Sequence, residues 1–596
     1  MVSELALIPI IILLGNRQTV LNSFKILLNR KSWLIPLLMT IAYAIISGVN
    51  LAQISGNSSA TWVGNYKGKS ITFIFDKPTK LSKVYYFLGL SDGKFKISAQ
   101  MESNIDIVPI ITIDTSGKQP PVYQWSSTIF NQSIKFKRLI FSVESPTVEF
   151  KQLAIFDSNN NLITNYKISM SYNSTTDSVN TLFATLFPPK NYDPSIKSSI
   201  VFDELYYAVT AYQYIQHLPL FANTHPPLGT LIIVLGILIF GMKPLGWRIM
   251  AYLCGVIMVP LIYYFARKIF KSNRAAIFAA LLLMFDFMHF TINRYALIDS
   301  IVTLFIGAEY LMLFCYIENQ KLAKLNAAQN SLWGIAFFFA LAVATKWIAL
   351  FSLIAISPII IYYEFFHSNQ QVSKQNNRLK SSIKLAYLST LVIIFYCACF
   401  IPQFIFQTKS NNFTDFIFQQ HLDMWRYHTG YAVTHHHLFE SPWWSWPLML
   451  RPQRIYNWMN YTTKQYSSIV LMGNPAIWWF SIVAIMLMAI NFIKTRSWQL
   501  GFILLAIAAQ YLPYMFLKRT SFIYYLYSVT PFMILAITWA LDAALKRPEK
   551  SLKKLVWIYL ILVIGLFILF YPAISGLEIH RDYTYHYLLW YQSWDF

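Results

Sequence analysis

Apolar stretches of about twenty residues recur along most of this chain, and a helix of that length can cross a membrane. The first is "WLIPLLMTIAYAIISGVNLAQI", residues 33–54. Further spans are predicted near residues 247–266, 275–293, 297–317, 331–345, 347–365, 385–406, 473–493, 498–517, 521–543 and 553–573. The pattern predicts a polytopic α-helical membrane protein with about eleven transmembrane helices.

Residues 55–198 have a different pattern, in which short apolar runs alternate with polar residues. Examples are "ITFIF", "KVYYFLGL" and "IKFKRLIFSVE", separated by turn signals such as "SDGK" and "DSNNN". This alternation indicates an all-β, jelly-roll-like domain in the first outer loop. The stretch "KQLAIFDSNNNLI" resembles the last strands of discoidin-like carbohydrate-binding domains, and a structural lid without a ligand is the alternative.

Basic residues are concentrated in every second loop between the predicted helices. The clusters are Arg267 to Arg274, Lys321 with Lys324, Lys374 to Lys384, Lys494 with Arg496, and Lys546 to Lys554. The positive-inside rule therefore places the N-terminus inside and the C-terminus outside. To preserve this alternation, we interpret the apolar stretch 226–241 as a membrane-embedded or interfacial helix on the outer side.

This organisation divides the chain into five segments. They are 1–54 with the first transmembrane helix, the β domain 55–198, the remaining first outer loop 199–246, the transmembrane core 247–573 with outer loop 407–472, and the aromatic tail 574–596. The stretch "LALIPIIILLG" (5–15) has no basic n-region and no small-residue cleavage site, so it does not read as a signal peptide. We expect an interfacial helix or a short membrane-inserted segment there. The aromatic residues of the tail are expected to form an interfacial belt.

The composition agrees with a membrane protein, because 56% of the residues are hydrophobic and only 12% are charged. The formal net charge of +22 is explained by basic loops that face anionic lipid, since no basic module with interleaved aromatic residues suggests nucleic-acid binding. The four cysteines all lie inside apolar runs, which argues against a disulfide framework or a zinc site.

Several ionisable residues lie at the predicted outer ends of the helices, against the general bias. They are Asp203, Glu204, Arg248, Arg294, Asp299, Lys346, Lys518 and Arg519, with a run of histidines in the outer loop 407–472. Charged groups at membrane depth are costly and mark functional sites. Snorkelling to the interface explains any single Lys or Arg, but several cations on the face that holds two carboxylates favour a site.

A set of motifs in order along the chain resembles the protein O-mannosyltransferases. These are membrane-embedded glycosyltransferases of the GT-C class, which use polyprenyl-phosphate sugars. The matching pieces are "FDE" (202–204), "HPPLG" (225–229), "GWRI" (246–249), "ATKW" (344–347), "MWRYHTG" (424–430), "SPWWSWPLMLRP" (441–452) and "KRTSFIYY" (518–525). The resemblance covers roughly residues 200–545, and it implies that segment 199–246 is the catalytic loop.

The resemblance implies an inverting transfer of mannose from a polyprenyl-phosphate-mannose donor to Ser or Thr hydroxyls of proteins, on the extracytoplasmic face of a prokaryotic plasma membrane. Asp203 would be the base that takes the hydroxyl proton, and Glu204 would support it. The candidates for holding the donor phosphate or the substrate are Arg248, Arg294, Asp299, Lys346, His437, Arg519 and His225. Because no enzyme nucleophile is needed, a single displacement would turn a β-linked donor into an α-glycoside.

Two features depart from the family pattern. About 145 residues of β domain separate the first span from the acidic pair. We expect this domain to tune acceptor or polymer capture and not the chemistry. The family often has His-Pro-Tyr-x-Ser before its Trp-rich segment, whereas this chain has "HLFES" (437–441). His437 aligns with the family histidine, although His435 and His436 are its neighbours. No MIR-type repeat is visible, which suggests a prokaryotic form.

Other functions remain open at this point. A hard-metal site could be built from Asp203, Glu204, Asp299 and His437, but no tight ligand spacing supports it, so we expect no required cofactor. A related transferase could act on a lipid or cell-wall glycan in place of a protein. A transporter or sugar-binding receptor is a weaker alternative, because no internal repeat is visible. The expected partners are a polyprenyl-phosphate sugar, a secreted protein acceptor and membrane lipid.

Overall fold

The computed structural model describes residues 33–52, 61–102, 106–116, 121–130, 135–159, 161–170, 197–367, 374–407, 412–430, 436–460 and 464–596. The predicted segment 5–15 and His435 lie outside the described residues. The chain divides into two compact units. The β unit comprises residues 50–205 with 242–245, and the helical unit comprises the first helix, residues 206–241 and residues 246–596.

The β unit is an antiparallel sheet structure, as the alternating pattern predicts. Its strands are β1 Trp62–Gly64, β2 Ser70–Leu88, β3 Lys94–Met101, β4 Ile107–Asp114, β5 Trp125–Ile129, β6 Lys135–Ser145, β7 Val148–Asp157 and β8 Tyr166–Met170. The strand order is β1-β7-β2-β6-β3-β4, and β5 and β8 also pair with β2.

Strand β2 organises this unit because it is 19 residues long and takes part in two sets of pairs. Its first part pairs with β6 and β8, and its second part pairs with β5 and β7. The alternate residues Ile71, Phe73 and Phe75 point into the core, where aromatic side chains such as Phe141 and Phe150 pack edge to face.

The helical unit contains most of the chain. Its helices are Leu34–Gly48, Leu228–Phe240, Pro244–Phe270, Asn273–Met284, Phe287–Ile292, Ile298–Lys321, Leu325–Val343, Leu353–Ile361, Lys374–Ala398, Ile401–Gln407, Phe413–Thr429, Pro475–Thr495, Trp498–Tyr511, Thr530–Lys546, Lys550–Ser575 and the single turn Arg581–Tyr583. Helix Glu204–Gln216 begins in the β unit and continues into the helical unit.

Short helical turns of other types and a small sheet complete this unit. The 3₁₀ turns are Trp347–Ser352, Trp443–Ser445, Leu512–Phe516 and Ile523–Ser528, and the π-type turns are Tyr362–Phe366 and Thr584–Leu588. The small antiparallel sheet is formed by β9 Gln453–Asn460, β10 Gln465–Leu471 and β11 Ile579–His580.

Within the described residues, 7 helices are long and apolar enough to cross a membrane. They are Pro244–Phe270, Ile298–Lys321, Trp347–Phe366, Arg378–Phe406, Pro475–Thr495, Trp498–Phe516 and Lys550–Ser575. The chain is therefore an integral membrane protein, while the total of about eleven spans stays a prediction.

Helix Leu228–Phe240 has 13 residues and is about 20 Å long. It is shorter than the hydrocarbon core of a bilayer, as an embedded or interfacial helix would be.

The prediction of single helices over 275–293 and 521–543 is wrong. The first region breaks after Met284, because the Asp286 carboxylate accepts a hydrogen bond from His289 N and so caps a second helix. The second region opens with the 3₁₀ turn Ile523–Ser528, and the α-helix begins only at Thr530, with Pro531 in its first turn.

Ion pairs join the helix ends that carry the predicted inner basic clusters. Glu318 binds Lys268 at 2.6 Å and also pairs with Lys271, and Asp542 lies 3.4 Å from Arg274. Helix Ile298–Lys321 begins next to Asp299 and ends next to Glu318, so the two charged regions lie about 30 Å apart along it.

The aromatic tail is not simply an interfacial belt. Strand β11 pairs with β10, and Trp594 Nε1 donates to Met449 O at 2.7 Å. Trp594 and Phe596 are buried, whereas Tyr587 remains exposed. The tail therefore packs on the segment that precedes helix Pro475–Thr495, which leaves only part of its aromatic surface exposed.

Candidate active site

The acidic pair lies at the start of helix Glu204–Gln216. The Glu204 carboxylate folds back and accepts a hydrogen bond from Val201 N at 2.9 Å, and its side chain is fully buried. Phe202, just before the pair, has a positive φ of 55°, a conformation that is costly for a bulky residue. Glu204 therefore stabilises the turn that holds Asp203, which is half-buried.

The β domain holds the chain immediately before this turn. Ile200 N donates to Tyr123 O at 2.8 Å, and Trp125 N donates to the Ser199 hydroxyl at 3.4 Å. These contacts end three residues before Asp203. The inserted domain is thus continuous with the segment that positions the acidic pair, a connection that the sequence pattern did not indicate.

The loop after helix Glu204–Gln216 folds back onto that helix. Gln213 Oε1 accepts from Phe221 N at 2.6 Å, and Thr210 Oγ1 accepts from Ala222 N at 3.1 Å. This return brings the His225 ring to 6.4 Å from the Tyr207 ring. His225 therefore lies beside Tyr207 of this helix.

Lys346 and Asp299 form a buried ion pair. Lys346 Nζ donates to both carboxylate oxygens of Asp299, at 2.8 and 3.0 Å. The same ammonium lies 5.7 Å from the Tyr525 ring centre. Leu228 N donates to Ala344 O at 3.0 Å, so the segment after His225 packs directly beside the turn that carries Lys346. The pair leaves little net charge at this position.

Arg519 joins this group through His428. Arg519 Nη1 lies 2.5 Å from His428 Nδ1, and His428 Nε2 lies 2.9 Å from Thr224 O. The His428 and His225 rings are 5.1 Å apart. Arg519 Nε and His225 Nδ1 are buried, and neither has a hydrogen-bond partner among the described residues. Two polar atoms therefore remain open to a ligand.

Burial and the nearby positive charges determine the protonation states of the two histidines in this group. Burial and the positive charge of Lys346 hold the pKa of His225 well below its usual range, with smaller contributions from His428 and Arg519. Burial and the Arg519 charge lower the pKa of His428 to about 4. Both rings are therefore expected to be neutral at pH 7 and to add no positive charge to the group.

Arg248 and Arg294 form a second cationic group. The Arg248 guanidinium lies 5.1 Å from the Tyr295 ring and the Arg294 guanidinium lies 4.8 Å from the Phe290 ring. The two positive charges are close enough to repel each other. Arg294 is only 2% exposed, and its Nε and Nη1 have no partner in the described part of the chain. An anion would satisfy these donors.

His437 is exposed, and its described contacts do not include the other candidates. Its Nδ1 accepts from Phe439 N at 3.1 Å, and its ring lies 5.1 Å from the Phe522 ring. A substrate-binding role for His437 stays a prediction. Nearby, Ser441 N donates to Ser521 O at 2.9 Å, which fixes the segment that carries Arg519.

Four predicted site residues, His225, Asp299, Lys346 and Arg519, lie together in the structure. His428 was noted only as one of the histidines of outer loop 407–472 and was given no site role, although the matched motif "MWRYHTG" contains it. Its spacing to His421 could have indicated a role, because residues seven apart lie on the same face of a helix.

No group of three His, Cys, Asp or Glu side chains within the described ranges is arranged to hold a metal ion. The arrangement instead offers cations and neutral histidines to an anion. Such a site can bind a phosphate group and stabilise it as a leaving group.

Comparison with known proteins gives consistent matches. The family model described as dolichyl-phosphate-mannose-protein mannosyltransferase matches residues 240–408, and the model of the C-terminal four-transmembrane region of protein O-mannosyltransferase matches residues 413–594. Together they cover more than half of the chain.

The curated relatives include the polyprenol-phosphate-mannose–protein mannosyltransferase of Mycolicibacterium smegmatis, which is 26% identical over 67% of this chain and 89% of its own length. The protein of the same name from Mycobacterium tuberculosis is 25% identical over 66% of this chain and 86% of its own length.

Among solved structures, the S. cerevisiae Pmt1–Pmt2 complex bound to the sugar donor has a TM-score of 0.58 at 15% identity and covers 67% of this chain and 89% of that one. The structural likeness shows a shared GT-C fold.

Proposed function

We propose, from the premise that the chain belongs to the protein O-mannosyltransferase family, that it transfers mannose from a polyprenyl-phosphate-mannose donor to hydroxyl groups of proteins. The observation that carries the proposal is the buried cationic site with open guanidinium N–H groups on Arg294 and Arg519. A lipid-linked sugar phosphate supplies the negative charge that such groups lack.

Asp203 is the proposed general base. Its neighbour Glu204 already accepts a hydrogen bond from Val201 N, which supports a structural role for Glu204 and leaves proton abstraction to Asp203. The acceptor hydroxyl gives its proton to the Asp203 carboxylate while its oxygen attacks the anomeric carbon. The bond from that carbon to the phosphate oxygen breaks, and the lipid phosphate leaves with the electron pair. A single displacement inverts the anomeric carbon.

The cations contribute by stabilising the departing phosphate. Arg519 and Arg294 are favoured for direct contact, because each has a buried donor without a partner in the described residues. Lys346 is already neutralised by Asp299, so its contribution is to orient the site and to add a weaker positive potential. Arg248 is proposed to act together with Arg294, and His225 is proposed to act together with Arg519.

A protein acceptor is favoured over a lipid or glycan acceptor because the relatives named above are protein mannosyltransferases. We also propose that the site faces the extracytoplasmic side, since the basic clusters lie at the opposite helix ends. The cations can take over the charge neutralisation that a metal would provide, so no metal cofactor is proposed.

The test is direct transfer by the purified chain. Labelled polyprenyl-phosphate-mannose and a Ser/Thr-rich peptide are supplied, and the product is identified by mass spectrometry. We expect one added hexose on a Ser or Thr side chain with the α configuration. An Asp203→Asn variant is the matched control. If wild-type protein labels only lipid or glycan in a mixture that also contains peptide, the proposed acceptor is wrong.

A further inference from the structure

Two histidines on one face of helix Phe413–Thr429 have similar environments. His421 Nδ1 lies 2.7 Å from Ile417 O, and its Nε2 lies 2.9 Å from the Tyr396 hydroxyl. His428, seven residues later, has Nε2 against Thr224 O and Nδ1 against Arg519 Nη1. Each ring thus uses one nitrogen for a backbone carbonyl and the other for a side chain.

The partners of His428 determine its tautomer. A carbonyl oxygen can only accept, so Nε2 carries the proton and donates to Thr224 O. An arginine guanidinium can only donate, so Nδ1 is unprotonated and accepts from Arg519 Nη1. A second proton on His428 would place two donors against each other. The arrangement therefore requires a neutral ring, in agreement with the lowered pKa of His428.

This contact determines which edge of Arg519 is available. A guanidinium can present the Nη1 and Nη2 pair or the Nε and Nη2 pair to a phosphate. His428 occupies Nη1, whereas Nε is buried without a partner among the described residues. The edge formed by Nε and Nη2 therefore remains for a two-point contact. The same ring also holds Thr224, the residue before His225.

We propose that His428 is a positioning residue that fixes Arg519 so that its Nε and Nη2 edge receives the phosphate of the lipid-linked donor. This inference rests on the proposed function, because it takes the donor to be a lipid-linked phosphate. His428 itself does not contact the reacting atoms in this account. Its effect on donor binding passes through Arg519, and its bond to Thr224 O fixes the orientation of the ring itself.

A double-mutant cycle on the full chain tests the proposal. His428→Phe removes both hydrogen bonds, and we expect it to raise the donor KM by about tenfold or more, with the acceptor KM unchanged. His428→Gln can donate to Thr224 O and accept from Arg519, so it should recover most of that loss. In an Arg519→Ala background, His428→Phe should have almost no further effect. His421→Phe is the matched control, because it removes similar bonds on the same helix without touching Arg519.

Binding of undecaprenyl phosphate to the same variants in nanodiscs separates this proposal from the proposed function. If wild-type protein transfers no mannose, the proposed function fails, but coupling between positions 428 and 519 in lipid-phosphate binding still supports the positioning role. The proposal is overturned if the effects of the two substitutions multiply, or if His421→Phe raises the donor KM equally. Should His428→Phe not fold, His428→Ala replaces it in the same cycle. No further effect in the Arg519→Ala background then supports the proposal, and multiplied losses overturn it.

Discussion

Lys346 and Asp299 form an ion pair in which the ammonium binds both carboxylate oxygens, and both side chains are buried. Breaking one partner of such a pair leaves an isolated charge, which typically costs about 3–5 kcal/mol of stability. Asp299→Asn and Lys346→Met should therefore each lower the thermal unfolding temperature. The double variant Lys346→Met with Asp299→Leu should recover much of that stability, while transfer activity stays low. Full activity in the double variant would show that the ion pair is not part of the active site.

Arg294 and Arg519 have buried guanidinium donors that the described residues do not satisfy. Substituting either by Ala should raise the donor KM more than the acceptor KM. The loss of a charged hydrogen bond in a desolvated site corresponds to about 2–4 kcal/mol, or roughly thirty- to nearly a thousandfold in kcat/KM. Arg426→Ala is the matched control, because Arg426 is an exposed cation on the same helix as His428. Unchanged kinetics in folded Arg294 and Arg519 variants would contradict the phosphate assignment.

The order of the motifs and the hydropathy pattern were sufficient to predict the membrane fold and the β domain, and they pointed to His225, Asp299, Lys346 and Arg519, which lie together in the structure. They could not predict the contact between His428 and Arg519, because the direction of a side chain in a long outer loop depends on how that loop packs. The break before Asp286 was also missed. Its signal, an Asp that can cap a helix, was present but was outweighed by the surrounding apolar residues.

The contacts of the cations have a similar explanation. The sequence places Arg248, Arg294, Lys346 and Arg519 at the same predicted ends of helices, and the structure joins Arg519 to His428 and sets Arg248 and Arg294 against aromatic rings. Helix rotation decides which side chains meet, and apolar stretches carry little information about rotation when both faces are hydrophobic.

The contacts just before Asp203 revise the expectation that the β domain does not affect the chemistry, and we now expect it to contribute to catalysis as well as to acceptor capture. Replacing residues 55–198 by a short flexible linker removes the partners of Ser199 and Ile200, which precede Asp203. We expect kcat to fall by about tenfold or more because the base is less well positioned, whereas the donor KM should change little. Steady-state kinetics on a small peptide measure both quantities. A folded deletion variant with wild-type kcat would show that the domain serves the acceptor alone.

The lowered pKa of His428 makes a prediction about stability and pH. In the unfolded chain this histidine titrates near 6.5, whereas in the folded protein it titrates at about 4. Between these values the unfolded state binds more protons, so stability should fall as the pH is lowered from 6.5 toward 4. The charged and titratable groups that face the ring are Arg519, Lys346 and His225.

Thermal unfolding in detergent across this pH range provides the measurement. His428→Gln has no titrating ring at this position, so its stability should decline less than that of the wild type over the same interval. An identical decline in both proteins would mean that other groups, and not His428, govern the acid sensitivity.

Chelation should leave the activity nearly unchanged. The reason is that the proposed phosphate-binding cations would supply the charge that a metal would otherwise provide. Transfer measured after dialysis against EDTA should stay within about twofold of the untreated rate. A large loss that added Mn²⁺ or Mg²⁺ restores would require a metal in the reaction.

The central claim is that Asp203 is the base and that Glu204 holds the turn. Asp203→Asn keeps the shape of the side chain but cannot accept the proton, so turnover should fall by about 10²–10⁴-fold while donor binding survives. Glu204→Gln keeps one oxygen that can accept from Val201 N, so it should cost less. The decisive measurement is kcat of both purified, folded variants at saturating donor. A severe loss in Asp203→Asn with a smaller loss in Glu204→Gln is the predicted result. Near wild-type turnover by Asp203→Asn, or an inactive Glu204→Gln beside an active Asp203→Asn, would contradict the account.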